Sequence, residues 1–230
     1  MHPPLPPKGC WEFAALAHEL RQPLTAILSN AQAAWHLLDS GTPNLAEARA
    51  ALTDIIAGAR RTNEMIRQLQ AFLTTGTLEQ TCFHIHDVIH ETIGLMRSEA
   101  DAHHVRIMLE FAANLPMIAG ARSQLRQVLL NLVRNAFEAM CQVEDWGRTV
   151  VVRTTATPSG GMTVAVHDRG PRIDETSLAR LFQPFFTTKA GGMGLGLALS
   201  RSIIAAHGGW IWATRNSDRG LTVSFTLPAV

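Results

Sequence analysis

Residues 182–197, FQPFFTTKAGGMGLGL, decide the fold more than any other stretch of the chain. Their glycines lead into an apolar segment, and the pattern predicts a helix over residues 195–207. Unpaired backbone N–H groups and the helix dipole make the start of such a helix a favourable place for a phosphate. Lys189, one of two lysines in the chain, is positioned to pair with that phosphate. Because the stretch lacks the Gly-Lys-Ser/Thr ending of a P-loop, it indicates another class of nucleotide site.

The sequence around this loop mixes short strands with helices. β-branched residues bounded by Gly, Pro and Asp predict strands at residues 105–111, 149–155, 162–167, 210–214 and 222–227. Apolar residues at helical spacing predict further helices at residues 86–99 and 123–140. Elements mixed in this way indicate a two-layer α/β sandwich, which we expect to span residues 77–230.

The segment before residue 76 is helical. Apolar residues recur at steps of three and four from Phe13 to Leu38 and again from Leu45 to Leu73, which predicts an antiparallel helical hairpin over residues 11–76. Asn44 and Glu47 have the spacing of a capping box at the start of the second helix. Pro23 lies inside the first helix, where we expect a kink.

A lone hairpin of this length cannot bury its apolar stripe. We expect a second copy of the chain to cover it, which gives a homodimer with a four-helix bundle. Packing of the hairpin on its own C-terminal domain alone is the alternative. Residues 1–10 are a proline-rich tail, and the fold class of the whole chain is α+β.

Composition excludes several classes of protein. Hydrophobic residues make up 47% of the 230 residues and the formal net charge is +1, with no run of Lys and Arg, so we expect no nucleic-acid partner. The three cysteines are far apart, which excludes a disulfide scaffold. No stretch approaches the length of a membrane span, so we expect a cytoplasmic protein without membrane contact. We expect surface histidines, without a transition-metal site, at His84, His86, His90, His103 and His104.

Two residue pairs could carry chemistry. His18 lies off the apolar seam of the first helix, where a neutral imidazole is a competent nucleophile, and Glu19 is the nearest carboxylate that could orient it. Asn131 and Asn135 are four residues apart and share one helix face. Their amide groups offer either an oxygen to Mg²⁺ or a donor to a phosphate.

A third candidate follows the apolar strand at residues 162–167. Asp168 at a strand end can accept a hydrogen bond from an exocyclic amine, and Gly170 lets a flat ring approach the backbone. A plain turn at the end of a strand is the alternative reading of these residues.

Taken in order, these motifs resemble the transmitter core of sensor histidine kinases from two-component systems, and the similarity extends from Trp11 to Leu227. The residues around His18 and in Arg134–Met140 most resemble those of the subgroup of oxygen-sensing, nitrogen-regulatory and dicarboxylate-sensing kinases. Ala17–Leu24 is similar to the family's phospho-acceptor box, and Asn131–Ala136 is similar to its N box. Asp168–Gly170 is similar to the first glycine box, and Phe182–Lys189 to the phenylalanine box. Gly192–Gly196 is similar to the second glycine box, and Gly220–Thr222 to the terminal glycine segment.

The resemblance implies an ATP-binding domain of the gyrase, Hsp90 and MutL type, with ATP and Mg²⁺ as cofactors. It implies that Asn135, with Asn131, holds Mg²⁺, and that Asp168 binds the adenine amine. The γ-phosphoryl group would pass to His18 and then to an aspartate of a response regulator. An upstream sensor domain or protein would supply the signal. The full set of residues implied to bind ATP is Asn131, Asn135, Asp168, Gly170, Lys189, Gly192, Gly194, Leu195, Gly196 and Thr222.

Three positions bear on the activity. ATPases of this fold carry a water-activating glutamate where this chain has Asn131, and asparagine cannot accept a proton, which disfavours hydrolysis. Gln22, four residues after His18, is a candidate for phosphatase action. Arg172 stands where the family usually has a glycine, and it motivates the alternative of a catalytically weak dimerisation or scaffold module with impaired nucleotide binding.

Overall fold

The structure, a computed structural model, describes residues 8–39, 44–73, 80–141, 143, 147–189 and 194–230. In the first two helices the described side chains are those of residues 21–39, 44–63, 65 and 66. The chain forms two compact units, which are described in turn. The predicted turn at residues 40–43 and the predicted break at residues 74–76 lie outside the described residues, as does the predicted tail up to residue 7.

The first unit is a helical hairpin. Helix α1 spans Lys8–Asp39 and helix α2 spans Leu45–Leu73, so α1 begins inside the segment predicted to be a tail. The backbone N–H of Glu47 donates to Oδ1 of Asn44 at 3.3 Å, which confirms Asn44 as the cap of α2. Pro23 lies within α1.

The apolar residues of the hairpin form two stripes instead of the single predicted seam. Small residues let the helices approach each other on the inner stripe: Ala34 and Ala48 are buried, and a Cβ on Gly58 would lie 2.8 Å from Cγ1 of Ile27. A second stripe on each helix is between 39% and 69% exposed, and it comprises Leu24, Leu28, Trp35 and Leu38 on α1 and Leu45, Leu52, Ile56 and Ile66 on α2. Its members recur at helical spacing, so each helix carries an apolar face that the hairpin does not cover.

The second unit is an α/β sandwich. Its helices are α3 (Ile85–Ala102), α4 (Arg122–Met140), α5 (Glu175–Arg180) and α6 (Gly196–Ala206). Its strands are β1 (Thr81–Phe83), β2 (Arg106–Glu110), β3 (Ile118–Gly120), β4 (Thr149–Ala156), β5 (Met162–His167), β6 (Ile211–Arg215) and β7 (Leu221–Leu227). Strands β1 and β3 pair with each other, and the other five form a sheet in the order β2-β4-β5-β7-β6. Only the β2–β4 pair of this described sheet is parallel.

One face of the large sheet packs against α3, α4 and α6. Alternate residues of the paired strands point into this layer and are buried; Val152, Val166 and Val223 form one such cross-strand row. The predicted two-layer α/β sandwich is therefore confirmed. The five predicted strands and the three predicted helices of this unit are present within a few residues of their expected bounds.

Three short elements of this unit were not predicted. Strands β1 and β3 have three residues each, and α5 has six, which is too short for a hydrophobic period to register. Helix α5 depends on its cap: the backbone N–H of Ser177 donates to Oδ1 of Asp174 at 2.8 Å.

His207 ties the two helices that matter most for the site. Its Nε2 accepts from the backbone N–H of Ala121, the N-cap of α4, at 3.0 Å. Because that nitrogen is an acceptor, the ring proton lies on Nδ1, which donates to the carbonyl of Ile203 at 2.8 Å. The start of α4 is thereby fixed to the end of α6.

His86 departs from the expectation of a surface histidine. Its ring is half-buried and stacks on Phe111 with centroids 4.1 Å apart, and its Nε2 lies 3.0 Å from the Thr154 hydroxyl. Burial, followed by the charges of His90 and His84, lowers the pKa of His86 below its ordinary 6.5, against an opposing effect of Asp87.

We predict that His86 makes the second unit less stable in mild acid. The unfolded chain, with the higher pKa, binds more protons, so this contribution is present above pH 6.5 and is lost as the pH falls through the lowered folded pKa. Thermal unfolding between pH 7.5 and pH 5 should show a smaller loss of stability for His86→Gln than for the wild type. His36→Gln, at an exposed position, is the control, and equal pH slopes for His86→Gln and the wild type would contradict the prediction.

Candidate functional site

The first turn of α6 lies directly against α4. A Cβ on Gly196 would collide with Oδ1 of Asn131 and would lie 2.9 Å from its Cγ, so any larger residue must displace Asn131 or move α6. Nδ2 of Asn131 donates to the Ser200 hydroxyl at 2.9 Å, and that hydroxyl donates to the carbonyl of Gly196 at 3.0 Å. Because the single Ser200 hydrogen is committed to Gly196, its oxygen must accept from Asn131. The orientation of the Asn131 amide follows from this pair of bonds.

Asn131, Asn135 and Ala139 follow one another at four-residue intervals along one stripe of α4. Asn131 and Asn135 are half-buried, while Leu132 and Ala136 on the adjoining face are buried in the core. The two asparagines therefore share one face of the helix, as predicted. From Asn131 to Ala139 the stripe is about 12 Å long.

Asp168 lies at the other end of this stripe. It follows β5, is 7% exposed, and its Oδ1 accepts from the backbone N–H of Gly170 at 2.8 Å and of Leu221 at 3.2 Å. A Cβ on Gly170 would lie 2.7 Å from Cβ of Ala139, so the loop after Asp168 packs on α4. The α4 stripe thus runs from the start of α6 to the Asp168 loop.

The phenylalanine-rich segment approaches the start of α6 through another glycine. Gly194 has φ +63°, and a Cβ there would lie 2.6 Å from backbone atoms of Phe186. The guanidinium of Arg180 lies over the Phe186 ring, 4.4 Å from its centroid. Phe185 has a positive φ of 62°, which is uncommon for a bulky side chain.

The remaining predicted ATP-binding residues differ in their placement. Lys189 is half-buried, and Gly192 lies outside the described residues. The side chain of Leu195 is 1% exposed and belongs to the core, so this residue can meet a ligand only through its backbone.

Thr222 follows Leu221 in β7 and pairs with His167, the residue before Asp168. Its side chain lies on the face of β7 opposite to the buried Val223, where its hydroxyl donates to Oδ1 of Asn216 at 2.7 Å and accepts from Nδ1 of His167 at 2.9 Å. Its neighbour Leu221 makes the contact to Asp168 through the backbone. This contact, like those of Ser200 and Asn216, was not predicted from the sequence because each depends on tertiary packing. The alternation of β7 could have indicated that Thr222 faces outward.

The residues predicted for phosphotransfer lie on α1. The helix includes positions 18 and 19, whose side chains are outside the described set, and Gln22 is exposed. Within the described ranges, no group of three or more His, Cys, Asp and Glu side chains is placed to hold a metal ion. None of the described helices combines the length and the apolar character needed to cross a bilayer.

Two family models match the chain. Residues 120–230 match the histidine kinase-, DNA gyrase B-, and HSP90-like ATPase, and residues 12–74 match the His Kinase A (phospho-acceptor) domain. The sensor protein FixL of Bradyrhizobium diazoefficiens is 39% identical over 217 residues, and the C4-dicarboxylate transport sensor protein DctS of Rhodobacter capsulatus is 36% identical over 215 residues. Each alignment covers 94% of this chain, which spans 43% of the length of FixL and 33% of that of DctS.

Solved structures of histidine kinases have the same fold. The catalytic domain of ThkA is similar over 66% of this chain and 96% of its own, with 31% identity and a TM-score of 0.58. The structure of ThkA in complex with the response regulator TrrA is similar over 95% of this chain and 61% of its own, with 27% identity and a TM-score of 0.75. The structure of full-length ShkA in complex with AMPPNP is similar over 94% of this chain and 45% of its own, with 26% identity and a TM-score of 0.67. These matches confirm the resemblance found in the motifs, and the chain belongs to the sensor histidine kinases of two-component systems, of which it contains the transmitter core.

Proposed function

We propose that this chain is an ATP-dependent protein-histidine kinase that phosphorylates His18 and passes the phosphoryl group to an aspartate of a response regulator. The observation that carries the proposal is the α4 stripe, which joins a glycine-rich helix start at Gly196 to the buried acceptor Asp168. The groups of a nucleotide are arranged in a matching order, with phosphates at one end and a hydrogen-bonding base at the other.

Asp168 reads the base in this proposal. An ionised carboxylate only accepts hydrogen bonds, so it suits the exocyclic amine of adenine and disfavours a carbonyl oxygen at the same place. The backbone N–H groups of Gly170 and Leu221 hold Oδ1 in position. Gly170 lets the loop that carries Asp168 pack closely on α4 at Ala139.

The phosphates lie at the start of α6 in this proposal. The unpaired N–H groups of the first turn and the helix dipole stabilise the negative charge, and Lys189, Gly192 and Gly194 come from the loop that leads into it. Asn131 and Asn135 fit Mg²⁺ because amide oxygens are hard neutral ligands and Mg²⁺ takes few protein ligands beside phosphates. When bound, Mg²⁺ neutralises charge on the phosphates.

The phosphoryl acceptor is His18. A lone pair on its neutral imidazole forms the N–P bond while the bond from the γ-phosphorus to the bridging oxygen breaks, and ADP leaves with that electron pair. Glu19 orients the ring and offsets its developing positive charge. Asn131 cannot act as the base that would activate water, so a protein nucleophile is favoured over hydrolysis. Gln22 remains a candidate for orienting water during dephosphorylation.

The partners in this proposal are a second copy of the chain and a response regulator. The exposed apolar stripes of α1 and α2 are the observation that favours a homodimer, because a two-fold pair of hairpins would bury them in a four-helix bundle. A sensor domain or protein upstream of the hairpin would supply the signal. In this proposal the phosphorylation takes place in the cytoplasm, where response regulators and ATP are present.

The alternative of a scaffold with impaired nucleotide binding finds no support. This alternative was suggested by Arg172, which stands where the family usually has a glycine, and the structure shows Arg172 exposed. Gly170, not Arg172, makes the close approach to α4 at Ala139.

Phosphorylation at His18 is the direct test of the kinase activity. Incubation with γ-labelled ATP and Mg²⁺ should label the chain with an acid-labile, base-stable phosphate, and His18→Gln should reduce the label to background, since glutamine offers no imidazole nitrogen. His36→Gln on the same helix should keep the full label. An undiminished label on His18→Gln would exclude the proposed acceptor, and steady release of phosphate without any phosphoprotein would indicate an ATPase.

The homodimer is tested by placing a charge on the exposed stripe. Leu28→Glu should weaken self-association by at least about tenfold, because burying a carboxylate in the bundle costs more than 1.4 kcal/mol. Analytical ultracentrifugation over a concentration series measures the dissociation constant. Ser29→Glu, one residue away on another face, should leave it unchanged. A monomeric wild type, or equal effects of both substitutions, would contradict the bundle.

A further inference from the structure

We propose that Asn216, in the turn between β6 and β7, is a positioning residue that sets the preference of the site for a nucleobase with an exocyclic amine. It acts by holding the backbone of Asp168. This inference rests on the proposed function in one respect, which is the assignment of Asp168 as the acceptor of the base amine.

The side chain of Asn216 reaches across the end of the sheet to Asp168. Its Nδ2 donates to the carbonyl of Asp168 at 2.8 Å and to the carbonyl of Arg219 at 3.4 Å. Its own backbone N–H donates to the carbonyl of Gly220 at 3.1 Å, which closes the turn. One side chain therefore links the turn to the residue that reads the base.

The turn and the first residue of β7 contact Asp168 at three further points. The backbone N–H of Asp168 donates to the carbonyl of Leu221 at 2.9 Å, and the N–H of Leu221 donates to Oδ1 of Asp168 at 3.2 Å. Gly220 has φ +85°, and a Cβ there would collide with the carbonyl oxygen of Asp168. Since that oxygen lies so close to the turn, a shift of the turn must move Asp168.

The hydrogen-bond directions around Asn216 are fixed by their neighbours. Because Nδ2 donates to two carbonyls, Oδ1 is the acceptor for the Thr222 hydroxyl at 2.7 Å. The Thr222 oxygen must then accept from Nδ1 of His167 at 2.9 Å. The chain of bonds therefore runs in one direction, from His167 through Thr222 and Asn216 to the Asp168 carbonyl. Thr222, placed in the ATP site by sequence, acts here through Asn216.

Holding the backbone of Asp168 has a consequence for specificity. A carboxylate fixed in place favours an amine and repels the carbonyl oxygen of a 6-oxo base, because two acceptors then face each other. If the backbone is released, the carboxylate can turn away from that carbonyl, and the preference for the amine falls. Loss of Asn216 should therefore reduce discrimination between bases more than it reduces binding as such.

The test compares ATP with inosine triphosphate, which carries a carbonyl in place of the amine. Calorimetric dissociation constants for both nucleotides, with Mg²⁺, are measured on the full chain. Asn216→Asp replaces the donor to the Asp168 carbonyl with an acceptor and should lower the preference for ATP by at least about tenfold, which corresponds to 1.4 kcal/mol. Asn216→Ala should lower it by a smaller factor.

Asp218→Asn is the matched control from the same turn. Asp218 makes an exposed ion pair with Arg169 at 3.3 Å, and exposed pairs contribute little. Its preference for ATP should stay within about twofold of the wild type. Should Asn216→Asp fail to fold in a thermal melt, Thr222→Val removes the donor to Oδ1 of Asn216 and should lower the preference in the same direction.

The outcomes separate the two proposals. A wild type that prefers ATP, with the same preference in the Asn216 variants, overturns the role of Asn216 and leaves the proposed function intact. Equal weakening of both nucleotides also overturns it, because a merely structural role would leave the ratio unchanged. A wild type that binds both nucleotides equally well overturns the assignment of Asp168, and this inference with it.

Discussion

The contact between Gly196 and Asn131 is the constraint on which the rest of the site depends. A helix start can bind phosphate only where its N–H groups face the ligand, and α6 is brought against α4 because Gly196 has no Cβ. Ser200 then fixes the Asn131 amide at the same contact. His207 joins the other end of α6 to the start of α4, so α6 is attached to α4 near both of its own ends.

Asp168 is held by different means. No helix carries it; it follows a strand, and backbone groups of Gly170 and Leu221 fix its carboxylate while the β6–β7 turn fixes its carbonyl. Helix α4 connects this acceptor to the start of α6 through Ala139, Asn135 and Asn131. The site thus combines one end built from helix packing with another built from strand ends, at a spacing set by the rise of an α-helix.

The sequence predicted most of the fold because its signals are local. Long amphipathic helices and strands bounded by Gly and Asp appear in the structure within a few residues of the expected bounds, and the cap at Asn44 is present. The two apolar stripes of the hairpin merged into one seam in the sequence, since periodicity alone cannot say which neighbour covers which stripe. Asn131, Asn135 and Asp168 were predicted as site residues from their spacing and residue type. Ser200, Leu221 and Asn216 could not be, because their roles depend on partners far away in the chain.

Nucleotide affinity in Gly196→Ala shows whether phosphate binding at the start of α6 depends on its packing without a Cβ against α4. We expect the affinity for ATP to fall by at least about tenfold, since the new methyl group must displace Asn131 or move α6. Gly94→Ala in α3, where an added Cβ meets no atom within 4 Å, should bind ATP as the wild type does. Wild-type affinity in a folded Gly196→Ala variant would show that nucleotide binding does not depend on the contact between α6 and α4 at this residue.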